Sequence, residues 1–119
     1  MTPQEQLVLD ELFGDGGVSV KEVVDNGRRL FILPKITLPA GSVPAEAFGI
    51  YQASPHNSGY STRLFLEAPI RGANGNTPQT TAEMFFGRTM YAASWNGVPA
   101  DLPPHEGILA HLRLYEATP

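Results

Sequence analysis

The sequence predicts an α+β fold: an antiparallel β-meander with an N-terminal and a C-terminal helix packed on one face of the sheet. Three observations predict it. Helix signals stand at the two ends of the chain, apolar runs of strand character fill the middle, and turn formers separate those runs. A length of 119 residues with 42% apolar content suits one domain over residues 1–119 with one sizeable core.

Thr2-Pro3-Gln4-Glu5 opens the first helix. Thr2 can cap it, Pro3 suits the first helical position, and Glu5 completes a capping box. Leu7, Val8 and Leu12, with Leu9 and Phe13, follow at helical spacing, and Gly14 ends the helix, which spans about residues 3–13. Val18 to Val24 alternates loosely as a first strand. Asp25-Asn26-Gly27 is the strongest hairpin signal, because Asn and Gly accept positive φ at low cost. Arg29 to Leu33 returns as a second strand whose unbroken apolarity predicts burial on both faces, and the prolines of "LPKITLPAG" break it.

Phe48 to Ala53 is a third strand, followed by a turn at Pro55-His56-Asn57-Ser58-Gly59. Tyr60 to Ala68 is a fourth, with Tyr60, Thr62, Leu64 and Leu66 on one face and Ser61, Arg63, Phe65 and Glu67 on the other. Residues 69–82 form a polar loop, long enough to suggest a function. Met84 to Ala92 is a short fifth strand or an extended segment. "SWNGVPADLPP" is irregular. A last helix runs from about His105 to Glu116, with Ile108, Leu109, Leu112 and Tyr115 as its apolar stripe.

Composition narrows the function. Without cysteine there is no disulfide, thiolate zinc site or thiol catalysis. A net charge of −4 and a single adjacent basic pair, Arg28-Arg29, offer no positive stripe for nucleic acid. No apolar run approaches the ~18 residues of a membrane span. No signal-peptide pattern opens the chain, so a cytoplasmic protein without a membrane partner is expected. Glycine-rich phosphate loops, H-E-x-x-H and G-x-S-x-G are absent. His105 and His111 are six positions apart and share no helix face, so neither a metal site nor a cofactor is implied.

Chemistry concentrates in "GRTMYAASWNG". Ser94 is an ordinary strand-end serine or, given a neighbouring base or an activated acyl donor, a nucleophile. Asn96 can supply a side-chain N–H to a developing oxyanion. His105, at a helix start in "PPHEG", is a candidate base if a hydroxyl comes within reach. Trp95, the only tryptophan, is a core anchor or a partner-facing aromatic. His111 reads as a partly buried helix histidine.

The order of "LPKITLPAG", "STRLFLEAPI" and "FGRTMYAASWNGVPADLPPHEGILAHLRLYE" resembles the bacterial ubiquitin-conjugating-enzyme-like proteins. The matching pieces are Leu38-Pro39-Ala40-Gly41, Leu64 to Pro69, Tyr91 to Ser94 and His111-Leu112, within about residues 28–115. The resemblance implies a ubiquitin-conjugating-like fold, with a ubiquitin-like protein and its activating enzyme as partners. The chain departs from that family's pattern in three places. "IRGANGN" stands where a Tyr-Pro pair is usual, the His-Pro-Asn tripeptide is missing, and there is no active cysteine.

Three readings follow from the resemblance. Ser94 carries the acyl group as an oxyester, with Asn96 as oxyanion donor and His105 as base. Or the chain is a non-catalytic binding relative, with Trp95 as contact surface. Or a native cysteine at Ala92, Ala93 or Ser94 has been replaced. An interaction module unrelated to ubiquitin chemistry, binding through the loop at 69–82, is the reading from another class.

Overall fold

The computed structural model describes residues 1–53, 60–95 and 97–117. The predicted turn with His56, and Asn96, lie outside the described residues.

Helix α1 spans Pro3–Phe13, and the Thr2 hydroxyl accepts from the Glu5 backbone N–H at 3.1 Å, as the capping signal predicts. Leu9 and Phe13 are buried, whereas Leu7 and Leu12 face solvent. Asp10 fastens the helix to the approach of the first strand: its Oδ1 accepts from Gln6 Nε2 and from the backbone N–H of Val20.

Strands β1 (Lys21–Asp25) and β2 (Arg28–Thr37) pair antiparallel across Asn26-Gly27, whose φ values of 51° and 76° are the left-handed ones this two-residue turn needs. The predicted break after Leu33 does not occur. β2 runs through Pro34, with a register shift between Leu33 and Ile36. β1 pairs with β2 only as far as Ile32, so the missing N–H of Pro34 costs no ladder bond on that side. The two-faced burial expected of β2 is present. Phe31 and Leu33 join one apolar cluster, Leu30 and Ile32 the other.

Strands β3 (Glu46–Gln52) and β4 (Arg63–Leu66) continue the meander, with β4 shorter than predicted. Within β4 the face assignment holds, because Leu64 and Leu66 join one cluster and Phe65 the other, but Tyr60, before the strand begins, lies against Arg63 instead of on the Leu64 face. The expected single segment after the loop is instead a hairpin of β5 (Thr80–Phe85) and β6 (Arg88–Ala93). Its turn is Phe86-Gly87, both at positive φ. The strand order β1-β2-β3-β4-β6-β5 shows that the chain passes to the far edge and then returns, so the meander ends at β4.

Helix α2 (Pro104–Leu112) starts one residue earlier than predicted and closes in a 3-10 turn, Arg113–Tyr115. Ile108, Leu112 and Tyr115 are buried as expected, but Leu109 is 43% exposed and His111 takes a place on the buried face. Gly107 is required there, because a Cβ would collide with the Tyr51 hydroxyl.

Both helices lie on one side of the sheet, where Leu9, Phe13, Phe31, Tyr51, Leu66 and Ile108 form the larger core. The opposite side has its own core of Leu30, Ile50, Phe65, Phe85, Met90 and Ala92. Its closure follows from one side chain. In a flat sheet four strand spacings, roughly 19 Å, would separate β2 from β5. Yet Arg28 donates to Glu83 at 2.9 Å, and its guanidinium lies 4.9 Å above the Phe85 ring. The sheet is therefore rolled, bringing β5 back towards the start of β2, and the second core fills the inside of the roll.

Candidate functional site

The strand end at Ser94 meets the C-terminal helix beside a groove of about 500 Å³. Trp95, Val98, Ala110 and Leu114 supply its apolar wall, with Asn74, Arg113 and Glu116 at its polar positions. Asn74 arrives on the loop that the sequence singled out, and that loop is pinned. Ala73 N–H donates to the Tyr115 carbonyl at 2.8 Å, and Val43 and Arg71 exchange backbone bonds. Ile70 is buried. Trp95 folds back over its own loop: a Cβ at Gly97 would stand 2.7 Å from the indole nitrogen.

Behind the groove lies a buried polar cluster that sequence reasoning did not assemble. His111 is 7% exposed. Its ring meets Trp95 edge-on at 5.9 Å and Tyr51 at the same distance. Its Nε2 lies 2.8 Å from the Thr62 hydroxyl, which also reaches the Val98 carbonyl at 3.0 Å. A hydroxyl has one proton. Thr62 therefore donates to Val98 and accepts from a neutral imidazole protonated on Nε2, which satisfies both contacts. Burial, and secondarily the charge of Arg63, push the His111 pKa down to about 4. Burial alone pushes that of Tyr115 up to about 12.

Arg63, on the opposite face of β4, is 5% exposed and stacks 4.2 Å over Tyr60. Its Nη2 donates to the carbonyls of Ala92 and Ala93 at 3.2 Å, anchoring the end of β6 just before Ser94. Desolvation lowers its pKa.

Of the sequence candidates, Ser94 is exposed at the end of β6 and Trp95 is partly buried in the groove wall. The Ser94 backbone N–H donates to the Gln79 carbonyl at 2.9 Å. Among the described residues no hydrogen bond reaches the Ser94 hydroxyl. His105 occupies the first turn of α2 and lines a different depression with Thr2, Glu5 and Val8 of the N-terminal segment. Trp95 and His111 are thus brought together, while His105 borders the α1 side of the molecule. Among the described residues no group of three metal-ligating side chains occurs, and no helix is long and apolar enough to cross a membrane.

Compared with protein-family models, with curated proteins and with solved structures, the chain matches none.

Proposed function

We propose that this chain is a non-catalytic, ubiquitin-conjugating-like binding module. In this reading it holds a ubiquitin-like protein, or its activating enzyme, against the groove walled by Trp95. The observation that carries it is the pairing of that groove with a serine that, among the described residues, no base touches. A serine hydroxyl is a poor nucleophile at neutral pH unless a base takes its proton. The imidazole behind Trp95 is buried and committed to Thr62. An aromatic wall beside a cationic Arg113 suits a polypeptide contact, where Trp and Arg supply most of the binding energy.

The exposure of Ser94 favours a second reading, an acyl carrier that forms a serine oxyester, with Asn96 as oxyanion donor and His105 as base after rearrangement. One experiment separates them. The protein is mixed with a ubiquitin-like protein, its activating enzyme and ATP, then followed by intact mass spectrometry and gel filtration. Co-elution without a covalent adduct, lost in Trp95→Ala, is expected. An adduct that resists thiol, is cleaved by alkali and disappears in Ser94→Ala would replace the binding reading with the oxyester. Neither adduct nor co-elution would remove both.

A further inference from the structure

The sheet has two edges, and they are built differently. β1 carries Lys21, Glu22 and Asp25, and the N-terminal ammonium of Met1 sits 3.1 Å from Glu22. Charges on an edge discourage a foreign strand from pairing there. β5 reads Thr80-Thr81-Ala82-Glu83-Met84-Phe85, with no lysine, arginine, proline or bulge. Its single charge, Glu83, reaches across the roll to Arg28 and so does not guard the edge.

The ladder shows which backbone groups are offered. The bond from Ser94 N–H to Gln79 O fixes the alternation, and the register with β6 carries it along β5. Thr81, Glu83 and Phe85 turn their N–H and C=O towards β6. Thr80, Ala82 and Met84 turn theirs outwards. Ala82 is exposed, Met84 is 67% exposed, and Phe86 at the hairpin tip is 65% exposed.

We propose that β5 pairs with β5 of a second copy of this chain, antiparallel about a two-fold axis at Ala82, joining two rolled sheets edge to edge. The strand is self-complementary in that register. Ala82 faces Ala82 of the second copy, and Thr80 faces Met84, so every outward N–H and C=O meets its complement. Three such pairs form about six hydrogen bonds. Glu83 falls opposite Thr81, so the two carboxylates never face each other and no like-charge penalty arises. The small side chain on the axis lets the strands approach, and Met84 of each copy covers apolar surface of the other.

The test is the oligomeric state by sedimentation velocity, from low to high micromolar protein. The wild type is expected to shift from 12.9 kDa towards twice that mass. Ala82→Pro deletes an outward N–H without touching the β6 ladder and is expected to stay monomeric with an unchanged circular dichroism spectrum. Ala82→Lys, whose side chain is solvated in the monomer, places like charges on the axis and is also expected to be monomeric. Mixing it with Ala82→Glu is expected to restore the doubled mass, which keeps the test open even if the proline variant does not fold. A wild type that stays monomeric throughout overturns the proposal, as does a dimer indifferent to both variants.

Discussion

The two faces of the sheet are sealed by different means. On one, α1 and α2 cover Phe31, Tyr51 and Leu66, with Arg29 over the Phe31 ring, and the polar groups beside that core include a neutral imidazole bonded to a hydroxyl. On the other, the sheet closes on itself, and the seams carry guanidinium groups lying on aromatic rings: Arg28 over Phe85, Arg63 over Phe65 and Tyr60, Arg88 over Phe48. A helix buries apolar surface over its whole length, whereas Arg28 and Arg88 each cover one ring and keep part of themselves in water. The helix-side core should therefore respond to protonation, and the rolled core to packing and salt.

The largest effect is expected from Phe85→Ala. Phe85 is fully buried, 4.7 Å from the Phe65 ring, and brings the far edge of the sheet into the rolled core. Its loss should cost about 3–5 kcal/mol in urea denaturation. Met84→Ala, one residue away on the exposed side, should stay within about 0.5 kcal/mol. Equal losses would mean that β5 is not the lid of that core.

Next comes pH. Well above 6.5 His111 is neutral whether folded or unfolded. As pH falls from 6.5 to about 4, the unfolded chain takes up a proton that the folded one excludes, so stability is lost across that window. The full effect is roughly 3 kcal/mol, since one pKa unit is about 1.4 kcal/mol. His111→Gln keeps a donor for Thr62 and should flatten this part of the profile relative to wild type, read from denaturation midpoints at stepped pH. A variant with an unchanged profile would place the acid sensitivity elsewhere.

The smallest effect belongs to the clasp. Arg28→Met keeps much of the apolar stem over Phe85 but removes the bond to Glu83, and should cost about 1 kcal/mol, less at high salt. If salt leaves the difference between variant and wild type untouched, the clasp acts through packing alone.

Sequence legibility divides along similar lines. The Thr2 cap, the Asn26-Gly27 turn and the two-sided burial of Leu30 to Leu33 were readable because each depends on neighbours within a few residues. The β5–β6 hairpin was not, because Phe86 stands at φ 50°, a conformation its sequence does not advertise. Pro34 reads as a strand breaker until the short reach of β1 is known. In the candidate site, Ser94 and Trp95 stood out as a pair in the sequence. The partnership of His111 with Thr62 spans 49 positions and needs the packing of α2 on β4. The exchange of Leu109 for His111 on the buried face of α2 has the same origin, because the surface it packs against decides which residues turn inwards.

The rolled sheet also has a consequence for synthesis. Leu30, Ile50 and Phe65 belong to the first two-thirds of the chain, but Phe85, Met90 and Ala92, which complete their enclosure, are made later. A nascent chain that has emerged only to the loop before β5 presents four finished strands with this oily side still open. The ribosome must deliver the last hairpin before that side finds another neighbour. A pause in translation between β4 and β5 would expose it to chaperones for as long as the pause lasts, whereas a pause after β6 would find it already shut.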